Sequence, residues 1–133
     1  MVTAPSIAEA WDDLSPSSLG IDSREVHGLA RNRGRRGGVT DPEIGLIKVV
    51  GRDGGVRGLV VNFTAHPILL GAENLLVSAG FPGAMTRELE RRYPGATVLF
   101  TNGAEGDQSI IGAPGPHADS WARVEATGAR LAH

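Results

Sequence analysis

The chain has 133 residues, no cysteine and a formal charge of −2 at neutral pH. This length suits one domain with its own core, and the small net charge disfavours a protein that binds nucleic acid or anionic membranes, because excess positive charge holds both. The lack of cysteine excludes disulfides and thiolate metal ligands.

The sequence also lacks the usual membrane signals. No apolar stretch reaches the length of a membrane span, and residues 1–10 do not show the basic and then apolar pattern of a signal peptide. Taken as given, the sequence therefore predicts a cytoplasmic protein with no transmembrane segment.

The first forty residues predict one helix, one brief strand and a long loop. A capping box at Ser6 to Glu9 begins a short amphipathic helix that ends before Pro16. Residues 17–22 have the character of a brief strand. Residues 24–38 contain five arginines and several glycines without periodicity, which predicts an irregular loop.

A β-hairpin is predicted in the centre of the chain. Residues 45–51 and 59–65 resemble strands, and Asp53-Gly54 between them favours a tight turn because such turns need positive φ. The second run is almost continuously apolar, which is typical of a strand buried on both faces. Pro67 has no N–H to continue a ladder, so this strand should end at His66.

A strand, a helix and a strand follow one another in the second half. Pro82 suits the first position of a helix that runs to about Arg92, and residues 96–101 form the next strand. Such a unit usually makes a right-handed crossover between two parallel strands. His66 and the loop at residues 102–109 should then leave the sheet at the same edge.

The predicted fold class is α/β, with a mixed sheet that contains a hairpin and a βαβ crossover and is flanked by helices.

After a break at residues 114–116, residues 117–131 place Trp121, Val124 and Leu131 near one face of a last helix. No capping glycine or closing element follows. We therefore expect residues 1–133 to be one partial domain, an incomplete piece of a larger one.

His66 is the first candidate site residue. Ligands of α/β proteins usually bind at the carboxyl edge of the sheet, and a neutral imidazole at a strand end could bind a metal there. A lone histidine is, however, more often a packed or hydrogen-bonded residue. No spacing among the four histidines completes a metal motif, so both interpretations stay open.

The loop at residues 102–109 is the second candidate. It has two glycines and five polar side chains after a strand, so Ser109 could act as a nucleophile while Asp107 orients or activates a neighbour. The alternative is a tight turn whose Asn and Asp cap their own backbone. In the arginine-rich loop, one guanidinium could serve as an oxyanion partner, and a solvated loop is the alternative.

Five segments taken together are similar in order and spacing to the catalytic domain of neutral/alkaline non-lysosomal ceramidases. They are Asn32-Arg33, Asp41 to Gly45, Val61 to Pro67, Leu75 to Gly83 and Asn102 to Ser109. The resemblance implies a zinc-dependent amide hydrolase that cleaves ceramide, an N-acyl sphingoid base, into a fatty acid and a sphingoid base. The implied substrate is a lipid-like small molecule, and such a family member is typically secreted.

The resemblance also implies roles for individual residues. His66 matches a zinc-binding histidine, and Ser109 matches a serine assigned as nucleophile, with a zinc-activated water as the competing account. Arg33 matches an arginine that assists near the scissile group, and Asp107 belongs to the loop of Ser109. Catalytic zinc usually takes three protein ligands, so the other ligands are expected outside this chain.

The sequence departs from the family pattern in ways that keep alternatives open. A Thr-His-Thr-His-like zinc segment and downstream Glu and Tyr ligands are absent from it, and Gly80 and Ile110 stand where Asp and Pro are common. We expect residues 1–133 alone to be inactive. The alternatives are a homologous hydrolase that acts on another amide or ester, and a non-catalytic vestigial or binding domain.

Overall fold

The computed structural model describes residues 3–111 and 120–133, which form three helices and six strands. In chain order these are α1 (Thr3–Asp12), β1 (Ser17–Glu25), β2 (Ala30–Asn32), β3 (Glu43–Gly51), β4 (Val56–Phe63), α2 (Gly80–Arg92), β5 (Thr97–Asn102), β6 (Gln108–Ile110) and α3 (Ser120–Leu131).

Four strands form a mixed sheet in the order β1-β3-β4-β5. The pairs β1–β3 and β3–β4 are antiparallel, while β4 and β5 are parallel and are joined through α2. The β3–β4 turn contains Gly54 at φ +80°, which is the positive φ that favours glycine there. The predicted α/β class, hairpin and crossover are therefore confirmed.

The core lies between the β4–β5 half of the sheet and α2. Phe63, Phe81 and Met85 are fully buried, and the rings of Phe81 and Phe100 meet edge to face with their centroids 5.6 Å apart. Helix α3 packs on α2 so closely that a Cβ at Gly128 would lie 2.4 Å from that of Ala84. This packing holds α3 directly against α2.

A second, two-stranded sheet was not predicted from the sequence. Strand β2 lies inside the segment expected to be an irregular loop, and β6 includes Gln108 and Ser109 from the expected 102–109 loop. The two strands pair antiparallel, with Asn32 opposite Gln108. Three-residue strands carry almost no periodic signal, and this pair forms only when distant segments meet.

The ends of the chain are less buried than the sequence patterns indicate. Ile7, Trp11 and Leu14 form the apolar face of the predicted first helix and its end, yet their exposed fractions are 70%, 73% and 69%. Trp121 on α3 is also exposed, at 42%, unlike Val124 and Leu131.

The predicted break at residues 114–116 and the predicted helix start at His117 lie outside the described residues. No described helix is both long and apolar enough to span a membrane.

Candidate active site

The candidate site lies just beyond β4, which ends at Phe63 and not at His66 as predicted, so that His66 forms only an isolated bridge. The backbone of His66 forms a parallel bridge with that of Ser109, and the His66 N–H donates to the Gln108 carbonyl at 3.1 Å. Because β4 and β5 are parallel, the segments that follow them emerge at one edge of the sheet. The predicted proximity of His66 and the Ser109 loop is therefore confirmed.

The His66 ring is held in one orientation by the same carbonyl. Its Nδ1 lies 3.0 Å from the Gln108 oxygen, and a carbonyl only accepts, so Nδ1 carries the proton. In the neutral ring the lone pair is then on Nε2, on a side chain that is 27% exposed. A carbonyl that accepts from Nδ1–H is a usual way in which proteins orient a histidine that binds metal through Nε2.

Among the described residues, Glu105 is the only acidic side chain within 4.0 Å of that nitrogen. Its Oε1 lies 3.9 Å from His66 Nε2 and accepts a hydrogen bond of 2.9 Å from the Asn102 amide. Its Oε2 is buried and has no hydrogen-bond partner among the described residues. Sequence reasoning gave Glu105 no role, although it stands in the loop at the carboxyl edge of the sheet.

Asp107 organises the loop through two amide side chains. Its carboxylate accepts bonds of 2.6 Å from Gln108 Nε2 and 2.6 Å from Asn32 Nδ2. These bonds, first that from Gln108, together with the nearby Arg33 charge, lower the pKa of Asp107 below its ordinary value of 3.8. The carboxylate is ionised at neutral pH, so it suits the positioning of this loop and not proton donation.

Arg33 lies beside Asp107 at the end of the small sheet. Its Nε and Nη2 both donate to the Gly106 carbonyl, at 3.2 Å and 2.8 Å, and its backbone N–H donates to the Asp107 carbonyl at 2.7 Å. The guanidinium fork thus holds the backbone of the loop three residues before Ser109. The structure brings Arg33, Asp107, His66 and Ser109 into one cluster.

Ser109 is the central residue of β6 and is only 3% exposed. The turn that leads to it passes unusually close to β4, because a Cβ at Gly103 would lie 2.1 Å from Thr64 Oγ1. Thr64 is buried and its hydroxyl donates to Asp41 at 2.9 Å, so it has little room to move. This contact fixes where the 102–109 loop begins.

The described residues fit part of a zinc site. The lone pair of the neutral His66 ring is on Nε2, as in a metal-binding histidine, and among the described residues no donor reaches the buried Oε2 of Glu105. Among residues 3–111 and 120–133, however, no group of three or more His, Cys, Asp or Glu side chains could hold a metal ion. Zinc at His66 would need further ligands from outside the described chain.

A cavity in the described structure is separate from this cluster. It has a volume of about 550 Å³ and lies between β1, β3 and the ends of α2 and α3, with Leu46, Tyr93 and His133 among its walls. None of His66, Arg33, Asp107 and Ser109 lines it. We therefore assign the candidate site from its side chains and from its place at the edge of the sheet, and not from this cavity.

Together these features describe a mixed α/β fold whose polar cluster lies at the edge where parallel strands end, and the fold is that of a segment of solved neutral ceramidases. The chain matches the crystal structure of neutral ceramidase from Pseudomonas aeruginosa with a TM-score of 0.83 and 22% identity, over 96% of this chain and 23% of that one. It matches a ceramidase complexed with C2 with a TM-score of 0.82 and 21% identity, over 94% of this chain and 22% of the other.

These matches establish a shared fold over less than a quarter of the length of the solved proteins. No protein-family model matches the sequence, and no curated protein matches it.

Proposed function

We propose that this chain forms part of the catalytic domain of a zinc-dependent amide hydrolase of the neutral ceramidase type. The reaction is hydrolysis of an N-acyl sphingoid base to a fatty acid and a sphingoid base. In this proposal residues 1–133 supply some of the catalytic groups and are inactive alone.

One observation carries the proposal. The Gln108 carbonyl accepts a hydrogen bond from His66 Nδ1 and so leaves Nε2 as the free nitrogen of the ring. The next residue after Gln108 is Ser109, whose backbone pairs with that of His66. A metal-binding nitrogen and a hydroxyl are thereby held by one short piece of sheet. Such an arrangement suits an acyl-transfer site, which needs an electrophilic centre and a nucleophile at a fixed separation.

The chemistry follows from these groups. Bound zinc would supply a Lewis acid that polarises the amide carbonyl. His66 would hold it through Nε2. The Ser109 hydroxyl would attack the carbonyl carbon, its proton would pass to the amine of the sphingoid base as the C–N bond breaks, and water would then release the fatty acid from Ser109. In the alternative, the hydroxyl would orient a water that attacks the carbonyl carbon directly. Arg33 is the candidate cation near the scissile group, and it would stabilise the developing oxyanion or keep the loop in place through Gly106. Asp107 would position the loop through Asn32 and Gln108.

The loop that follows His66 supports a lipid-like substrate. Leu75, Leu76 and Val77 have exposed fractions of 92%, 69% and 104%, and Ile68 is 54% exposed. A run of exposed apolar side chains in the segment that joins His66 to α2 suits a ligand with a long acyl chain.

The test is an assay of the natural full-length polypeptide that contains this chain. We expect it to release fatty acid and sphingoid base from an N-acyl sphingosine, to lose this activity on chelation and to regain it with zinc. Folded, zinc-loaded protein that leaves the amide intact would contradict the proposal. Turnover of a different amide or an ester by that protein would favour the homologous hydrolase.

A further inference from the structure

Arg31 stands directly beside Ser109 in the small sheet, although the account above gives it no role. It is the central residue of β2, and the register of the β2–β6 pair sets it opposite Ser109, the central residue of β6. Residues paired directly across an antiparallel sheet share one face, with Cβ atoms about 4.5 to 5.5 Å apart. The side chains of Arg31 and Ser109 therefore leave the sheet on the same face.

His66 lies on the other side of Ser109. Its backbone bridge to Ser109 is parallel, and paired residues of neighbouring strands again share a face because their pleats align. Three side chains thus leave the backbone in one row, with Ser109 between His66 and Arg31.

The guanidinium of Arg31 is free to bind a ligand. Arg31 is exposed, and among the described residues its side chain takes part in no hydrogen bond or ion pair. Arg33 differs, because its Nε and Nη2 already donate to the Gly106 carbonyl. The uncommitted cation in the row that contains Ser109 is therefore Arg31.

A cation in this position matches the charge that acyl transfer creates. When the Ser109 hydroxyl, or a water beside it, attacks the amide carbon, the carbonyl oxygen takes up negative charge next to Ser109. A guanidinium is always ionised and has only donors, so it suits an oxyanion and does not compete for the proton that the attacking hydroxyl releases.

We propose that Arg31 is a further catalytic residue, whose guanidinium donates to the oxyanion that forms beside Ser109. This inference rests on the proposed function, because it takes the reaction to be hydrolysis of an amide at Ser109. Arg33 then keeps the loop in place through the Gly106 carbonyl, which is the second of the two roles given to it above. His66 and Arg31 would approach the reacting carbonyl from opposite sides of Ser109.

The first test is steady-state turnover of an N-acyl sphingosine by variants of the natural full-length polypeptide. Removal of one oxyanion donor typically lowers kcat by about 100 to 1,000-fold, so we expect Arg31→Ala to lower kcat by about 100-fold with little change in KM. Arg36→Ala is the matched control and should keep wild-type kcat, since Arg36 is also exposed but lies beyond β2. Wild-type kcat in Arg31→Ala, or an equal loss in Arg36→Ala, would overturn the assignment.

Guanidinium added to the assay separates a catalytic role from a structural one. The free ion can occupy the space that Arg31→Ala leaves and donate to the oxyanion, so it should restore part of the lost kcat in this variant and none in Ser109→Ala. A loss of kcat that guanidinium does not reduce, together with a lower melting temperature, would give Arg31 a structural role and overturn the proposal.

A further measurement does not depend on a variant folding. In a crystal of the zinc-loaded wild-type protein with a phosphonate analogue of the tetrahedral intermediate, a phosphonate oxygen should lie about 2.7 to 3.1 Å from an Arg31 guanidinium nitrogen. A phosphonate bound beside Ser109 without contact to Arg31 would overturn the proposal.

The two proposals fail in different ways. If the wild-type protein cleaves N-acyl sphingosine and Arg31→Ala cleaves it equally fast, only the Arg31 assignment is wrong. If the folded, zinc-loaded wild-type protein leaves the amide intact, both are wrong.

Discussion

The backbone of His66 pairs with that of Ser109 in a parallel bridge, 43 positions apart in the sequence. The pairing is a consequence of the crossover, because β4 and β5 run parallel and release their following segments at the same edge. The bridge brings the backbones of a histidine and a serine together, although no sequence motif contains both residues.

Ser109→Ala tests the nucleophile. If the hydroxyl attacks the amide, the substitution should lower kcat by more than about a thousandfold, as removal of a catalytic serine does elsewhere. The melting temperature should change little, because only one oxygen is removed. The exposed Ser18→Ala is the control and should keep full turnover. Turnover equal to wild type in Ser109→Ala would favour a zinc-activated water instead.

Substitutions of Arg33 test whether turnover needs the guanidinium fork that binds the Gly106 carbonyl. Arg33→Ala removes both bonds to the Gly106 carbonyl, and we expect kcat/KM to fall at least about tenfold because the loop before Ser109 loses its clamp. Arg33→Lys should not restore the rate, since an ammonium cannot reproduce a planar fork.

The neighbouring Arg36→Ala provides the control for this comparison, as the residue is exposed in the same loop. An Arg33→Lys enzyme with wild-type kcat/KM would show that charge alone is sufficient.

A substitution at Gly103 tests the close approach of the 102–109 loop to Thr64, the residue that follows β4. A methyl group there would meet the buried Thr64 hydroxyl at 2.1 Å, so Gly103→Ala should lower the free energy of unfolding by about 1 to 3 kcal/mol. Gly106→Ala is the matched control, because its Cβ would point into open space. Chemical denaturation of both variants measures the difference, and equal stability would contradict the packing described for this turn.

Glu88 gives the pH prediction. Its hydrogen bond from Arg91, and then that from Arg92, lower the pKa of Glu88 below the ordinary value of 4.5. A lowered pKa in the folded state stabilises the fold above the ordinary value, and this contribution is lost as the pH falls through the lowered pKa. We expect Glu88→Gln to be less stable than wild type near pH 6 and to approach it below pH 4.5.

Denaturation across this pH range checks the Glu88 prediction. The exposed Glu73→Gln should follow the wild-type curve throughout. A constant difference between wild type and Glu88→Gln at every pH would mean that the ion pair does not contribute.

The parts of the fold that depend on local pattern were predictable. The apolar run at Leu59 to Val61 and the Asp53-Gly54 turn each carry their own physical signal, and the crossover rule joins the predicted elements. Pro82 indicated the helix but not its first residue, because α2 begins at Gly80 and Pro82 lies in its first turn. His66, Ser109, Asp107 and Arg33 could be selected because of their place in the chain or their resemblance to family residues. Their catalytic roles stay predictions.

The small sheet and the environment of the site were not predictable in the same way. Strands β2 and β6 become visible only when Asn32 meets Gln108, more than seventy residues away. The exposure of Trp121 could not be predicted either, because periodicity finds an apolar face but not what covers it. The sequence offered one signal for Glu105, an acidic residue between Gly103 and Gly106 after a strand. Its position 3.9 Å from His66 Nε2 becomes visible only in the folded structure.

The central claim is that His66 holds zinc, and metal content tests it most directly. The natural full-length polypeptide, dialysed against metal-free buffer and measured by inductively coupled plasma mass spectrometry, should retain one zinc per chain. His66→Ala should lose it, while His27→Ala, which removes an exposed imidazole paired with Glu25, should retain it. One zinc per chain in folded His66→Ala would contradict the claim.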